Sequence, residues 1–346
     1  MRANFINSFV TELAVHIVGN KIADDGCVLS SACLSISDDL NKILTNYFLG
    51  SFSSDEYYQL FHDSSLNLNE VYSFVSEIFN NPDSLYSESI NLAKHLYNES
   101  IYPNIKVGEF FVVYFKEITF DGEEVDVLGL FKTESKQVFL KSSVKDNNVN
   151  ITKDEGVDLK KLDKGCLIFN KNKEAGYIVA VIDNTNKGNQ AKYWIENFLH
   201  IKQIKDSYSS THNIMSLTKS FVTKGLSQSD EISKKEQVDL LNKSLKYFKE
   251  NDSFNINDFE KEVIANPDMV MKFRSYKEEY ESTRNINIES EFSLSDSAFK
   301  KQQRSYKRTI NLDKKIQITI KGNSDNIEKG MDAKGTFYKI YYSNEE

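Results

Sequence analysis

Two segments, GEFFVVYFKEITF (108–120) and EEVDVLGLFKTES (123–135), most narrow what this chain can become. Both are dense in β-branched and aromatic residues, the types that fit a pleated, buried surface. The acidic DGEE between them is a hairpin-type turn signal. The chain must therefore build an antiparallel sheet around this pair. QVFLKS (137–142), KGCLIFNK (164–171) and GYIVAVIDN (176–184) read as further strands. Upstream, LAVHIVGNK (13–21) has the alternation of a first strand, with CVLSSACLSI (27–36) as its partner.

Helical spacing occupies the rest. Ser37 is placed to cap a helix in which Leu40, Ile43, Leu44, Tyr47 and Phe48 recur at helical intervals. Residues 69–81 and 84–100 read as two more amphipathic helices. After the strands, 191–204, 209–226, 233–251 and 255–282 read as helices, the last broken or kinked at Pro267. Ile316, Ile318 and Ile320 then alternate with Gln317 and Thr319, and 335–343 reads as a second strand that closes a terminal hairpin. The expected fold class is α+β: an N-terminal domain (1–188) with an antiparallel sheet flanked by helices, a helical region (189–285), and a C-terminal basic segment with a β-hairpin (286–346).

At 346 residues with 40% hydrophobic and 12% aromatic content, the chain can bury a substantial core. No run approaches the length of a membrane span, and the N-terminus has no uninterrupted signal-type apolar core. Cys27, Cys33 and Cys166 form no CxxC pair and read as packed free thiols of a reducing compartment. The five histidines, at 16, 62, 95, 200 and 212, are scattered, giving little support to a zinc site. His16 and His95 read as structural. No phosphate-binding glycine loop is present. These features give a cytoplasmic protein with no implied cofactor or metal and no membrane partner.

Charge is the one unbalanced property. Between residues 299 and 323 stand Lys300, Lys301, Arg304, Lys307, Arg308, Lys314, Lys315 and Lys321 against Asp313 alone, a net +7 in a chain of net −8. Lysine and arginine neutralise phosphates and release condensed counterions, and screening over about 10 Å lets a local basic face act apart from distant carboxylates. A continuous helix over 299–308 would put Lys300, Arg304, Lys307 and Arg308 on one face, with Tyr306 free to reach a sugar or base. The competing reading is a solvated face that keeps the surface soluble. A second basic and aromatic group, Lys192, His200, Lys202 and Lys205 beside Tyr193 and Trp194, has the elements of a stacking site. The spacing of Trp194, Phe198 and Ile201 favours a core stripe instead.

An enzymatic alternative rests on Asp126, Glu134 and Lys136, a D…ExK arrangement of the kind that holds Mg²⁺ in nucleases. The three share a strand parity only if no break follows Phe131.

Taken in order, LAVHIVGNK, LNKILTNYFLGSF, INLAKHLYNESIYPNIKVGEFFVVYF, VDVLGLFKTESK, AKYWIENFLHIKQIKDSYSSTHNIMSLTKSFV and IQITIKGN resemble the bacterial nucleoid-associated protein NdpA family. That resemblance spans most of the chain. It implies a cytoplasmic protein found with the nucleoid, able to bind DNA, and no enzymatic activity; it supplies no base-contacting residues. The combined expectation is a non-enzymatic protein that binds double-stranded DNA through phosphates with little sequence specificity. Helix faces between 191 and 282 are available for homo-oligomer formation. The alternatives are an adaptor recruited to the nucleoid by a partner and the Mg²⁺-dependent nuclease.

Overall fold

The computed structural model describes residues 3–344 apart from Ser54, 185–192, 227–231, Asn285, Lys314 and 321–324. The chain is an α+β protein that divides into two compact units, 1–204 and 205–346.

The first unit contains β1 (Ala3–Asn4), β2 (Phe9–Val18), β3 (Cys27–Leu29), α1 (Asp38–Leu49), β4 (Tyr58–Leu60), α2 (Glu70–Asn80), α3 (Leu85–Glu99), β5 (Gly108–Phe120), β6 (Glu123–Thr133), β7 (Lys136–Lys145), β8 (Asn148–Val157), β9 (Lys164–Phe169), β10 (Ile178–Asp183) and β11 (Ile201–Gln203). Nine strands form one sheet in the order β11-β4-β10-β9-β6-β5-β2-β3, with β1 also pairing to β5. Every pairing in it is antiparallel. Side chains alternate across a strand, and both faces of this sheet are covered. Phe110, Val112 and Tyr114 pack with α2 and α3, while Phe111, Val113 and Phe115 pack with Tyr47 and Phe48 of α1. Two buried faces explain why β5 reads as an almost unbroken apolar run. Phe48 stacks on Phe131 of β6 with ring centroids 4.3 Å apart, which seats α1. The Ser37 hydroxyl caps that helix by accepting from the Leu40 amide.

The second unit contains α4 (Ser207–Ser220), α5 (Lys234–Glu250), β12 (Ser253–Asn255), α6 (Ile256–Phe259), α7 (Pro267–Arg284), β13 (Glu291–Ser293), α8 (Asp296–Gln302), β14 (Thr309–Leu312), β15 (Ile316–Thr319), β16 (Ile327–Asp332) and β17 (Gly335–Ile340). Its helices enclose an aromatic core that includes Phe221, Tyr247, Phe248, Phe254, Phe259 and Phe273. Pro267 stands at the first position of α7, where a missing amide costs nothing.

Three local expectations are corrected. Residues 193–204 do not continue as a helix: Tyr193–Phe198 is one π-type turn, His200 takes a positive φ of 49°, and β11 follows. Residues 316–319 pair with 309–312, and 335–340 with 327–332, so two successive hairpins replace the single one expected. Residues 148–157, unassigned from sequence, form β8, whose partner is β7 alone among the described strands.

Candidate nucleic-acid interface

The basic segment crosses three kinds of backbone. Ser295 caps α8 by accepting from the Ala298 amide, and Lys300 and Lys301 occupy its last turn, where the helix dipole favours cations. The helix stops at Gln302. Arg304 lies in the 3₁₀ turn 303–305, and Lys307 and Arg308 lead into β14. The continuous helical face over 299–308 is therefore not formed. Tyr306 is the cause: it is buried, and its hydroxyl donates to the Met215 carbonyl at 2.7 Å, drawing the backbone inward. It is an anchor and not a contact for sugar or base.

A second anchor follows at once. Ile310 is buried with Val238 of α5, Ile320 and Ile327. The Ile320 amide donates to the Arg308 carbonyl at 3.0 Å, and the Asn242 amide group donates to the Ile320 carbonyl at 3.3 Å. Of the three isoleucines expected to hold this strand, Ile320 is buried and Ile318 half-buried, but Ile316 is exposed. Between and beyond the anchors, Lys300, Lys301, Arg304, Lys307 and Lys315 are exposed and Arg308 half-exposed. Lys301 stands 5.8 Å over the Tyr208 ring. Lys314 and Lys321 lie outside the described residues.

Lys307 also lines a cleft of about 240 Å³ with Thr223, Lys234, Gln237, Thr309 and Asn311, floored by Val238, Leu241 and Ile310. Sequence reasoning did not single out Lys234. The available signal was the capping box of α5, in which Ser233 and Glu236 hold each other's amides and fix Lys234 at the first helical position. The lining has several hydrogen-bond donors and two cations, a combination suited to an anion.

The proposed nuclease residues are not brought together. Asp126 lies near the start of β6, eight residues and about 25 Å of extended chain from Glu134. Asp126 is held by Lys116 at 2.7 Å and accepts from the Tyr114 hydroxyl at 2.8 Å. Lys136 pairs with Glu109, which also accepts from the Thr133 hydroxyl. Burial alone would raise the Glu109 carboxyl, but those hydrogen bonds outweigh it and hold it below the usual range. Glu134 takes the Tyr193 hydroxyl at 2.9 Å and lies 3.2 Å from Lys164 and 3.6 Å from Lys132, two fully buried lysines. Burial pushes the Lys132 amine down to about 8, against the opposing pull of Glu134. Asp163 accepts from the Glu134 and Ser135 amides and the Ser135 hydroxyl; these outweigh its burial and keep its carboxyl low. Each carboxylate is committed to structure. Among the described residues, no group of three or more His, Cys, Asp or Glu is placed to hold a metal ion.

The aromatic group at 193–205 is also structural. Tyr193 and Trp194 are fully buried with Phe198, Lys202 rests 3.7 Å over the Phe61 ring, and Lys192 lies outside the described residues. His16 and His95 are tied into the fold: His16 bonds the Ser89 hydroxyl, and His95 the Phe198 carbonyl and Glu70. Cys27, Cys33 and Cys166 are free thiols, each pushed up by burial and so kept protonated. No helix among the described residues is long and apolar enough to cross a membrane.

Fold and surface together define a two-unit α+β protein with a basic segment fixed to the core of its second unit. The chain belongs to the NA37 family, described as nucleoid-associated protein YejK, whose model matches residues 14–333. This is the nucleoid-associated family that the ordered segments resemble. No curated protein matches the chain.

Proposed function

We propose that this protein is a non-enzymatic, nucleoid-associated DNA-binding protein that grips double-stranded DNA by its phosphates. The contacts assigned to this role are Lys300, Lys301, Arg304, Lys307, Arg308 and Lys315, with Lys314 and Lys321 adjoining them in sequence. One observation carries the reading: two buried anchors, Tyr306 and Ile310, tie this stretch to the core, with Lys307 and Arg308 between them and Lys300, Lys301, Arg304 and Lys315 flanking them. Cations held in place lose less conformational entropy on meeting a phosphate than cations on a loose tail. The Lys234–Lys307 cleft supplies a recess for one backbone phosphate beside them. Membership in a nucleoid-associated family supports the same partner.

Phosphate-led binding leaves a defined signature. Affinity for a random-sequence duplex should fall linearly in log–log form with salt, each contacting cation adding roughly 0.9 to the slope. Reversing Lys300, Lys301, Arg304, Lys307 and Arg308 to glutamate should abolish retention of the duplex at physiological salt. Unchanged affinity in that variant would remove this segment from the binding mechanism. Incubation of supercoiled DNA with Mg²⁺ should leave it intact; cleavage lost in a folded Asp126→Ala variant would reinstate an enzyme.

A further inference from the structure

The β7–β8 ribbon departs from everything else in its unit. It pairs residue for residue from Lys136↔Val157 to Lys145↔Asn148 without a bulge, and turns at Asp146 and Asn147, both with positive φ. Such a two-residue turn matches the twist of the strands. Both faces are exposed from Lys136 to Glu155, apart from Lys145, whose side chain is not described. A lone two-stranded ribbon is at best marginally stable in water.

The register sorts its side chains. Val138, Leu140, Val144, Val149 and Ile151 share one face, with exposures from 53% for Val138 to 76% for Val144. Lys141, Asn148, Asn150, Thr152 and Asp154 take the other, with Phe139 the one large apolar residue there. The apolar face amounts to roughly 600 Å², at the top of what a monomer ordinarily exposes in one patch. The charges on this face are already paired: Lys153 and Glu155, opposite Leu140 and Val138, with each other at 3.1 Å, and Lys136 at its end with Glu109. A face with no net charge makes no demand for an opposite charge and does not repel its own copy.

We propose that this face is a self-association surface whose occupant is the same ribbon of a second copy of the chain. Two such faces laid together about a two-fold axis would bury about 1,200 Å², the lower end of the range for stable interfaces. A two-fold axis along the ribbons sets Val144 against Val149 of the second copy and Leu140 against its Lys153 stem, an apolar contact along the lysine methylenes. The contact is independent of the helix faces between 191 and 282, and it needs no DNA.

Sedimentation velocity on the full chain between about 1 and 100 μM, without nucleic acid, tests this directly. The wild type should shift from 39.8 kDa monomer to dimer with concentration. Leu140→Lys with Ile151→Lys should weaken dimerisation at least about tenfold. Lys141→Glu, on the opposite face, should leave it unchanged. If the lysine pair perturbs folding, Val144→Thr with Val149→Thr and Ile151→Thr keeps β-branched side chains while removing apolar surface, and should weaken dimerisation as well. A wild type that stays monomeric throughout, or a dimer indifferent to every substitution on the apolar face, overturns the proposal.

Discussion

Lys132 and Lys164 sit directly opposite one another in the β6–β9 ladder, both fully buried, with the carboxylate of Glu134 between their amines at 3.6 and 3.2 Å. Burying two lysines inside a sheet is an expensive arrangement, because desolvating each ion costs several kcal/mol. It persists where the carboxylate and the Tyr193 hydroxyl compensate. Glu134 thus serves to neutralise the sheet interior.

Removing that carboxylate should be among the most damaging single changes in the first unit. Glu134→Gln removes the carboxylate that lies against both buried ammonium groups and is expected to cost about 3–5 kcal/mol, read from urea unfolding. Lys132→Met should be neutral or stabilising, since it removes the amine whose geometry to Glu134 is poorer. The pH dependence carries a sign. The Lys132 amine is depressed to about 8 when folded, so between there and its ordinary value of 10.5 the unfolded chain binds more protons. This group's contribution to stability therefore rises with pH across that window. Lys132→Met should flatten that rise.

A histidine gives a second pH dependence on the acid side. The Ser30 amide donates to His16 Nδ1 at 3.2 Å, while the Ser89 hydroxyl is already donating to the Tyr86 carbonyl. Ser89 must therefore accept from His16 Nε2, which fixes the neutral ring with its proton on that nitrogen. Burial lowers the affinity of this ring for a second proton. Below the ordinary value of 6.5, the unfolded chain takes up a proton that the folded chain resists. Stability should fall as pH drops through 6.5, and continue to fall until the folded ring itself titrates. Comparing urea midpoints at pH 7.5 and 5.5 for wild type and His16→Gln isolates the effect; equal losses in both would assign it elsewhere.

Gly176 should tolerate no side chain. Its φ is +101°, and an added Cβ would lie 2.0 Å from the Leu60 carbonyl oxygen, while its own carbonyl accepts from the Leu60 amide at 2.8 Å. Gly176→Ala carries about 1–3 kcal/mol of backbone strain before the collision is counted. Because Leu60 is in β4, which joins β10 to β11, the variant should also raise hydrogen exchange in β11, measurable by mass spectrometry.

The sheet was legible because strands covered on both faces become nearly continuous apolar runs, so 108–120 is β5 from end to end. What failed was partner choice and helix length. The alternation in 335–343 is more apolar than TINL at 309–312, yet adjacency in the chain wins because a short turn closes at less entropic cost. The π-type turn at 193–198 has helical spacing but is ended by backbone geometry at His200, which no glycine or proline announces. β8 was invisible because its composition is polar: its apolar residues make sense only once paired with those of β7. The basic segment was read correctly as a cluster of cations, but its helix was extended past Gln302 because a tertiary anchor, not a local stop signal, ends it.

That anchor separates stability from binding. Tyr306→Phe keeps the ring in the core but removes its buried hydrogen bond to the Met215 carbonyl, an expected loss of about 0.5–1.5 kcal/mol. At temperatures where the variant is folded, its affinity for duplex DNA should match the wild type, because the hydroxyl faces inward. Arg304→Ala and Lys307→Ala should do the reverse. Both side chains are exposed, so stability should stay within about 0.5 kcal/mol, while DNA affinity and its salt slope both fall. Calorimetric melting and fluorescence anisotropy on the same three variants decide the matter. A Tyr306→Phe protein that folds normally yet loses DNA would show that the hydroxyl reaches the nucleic acid after all.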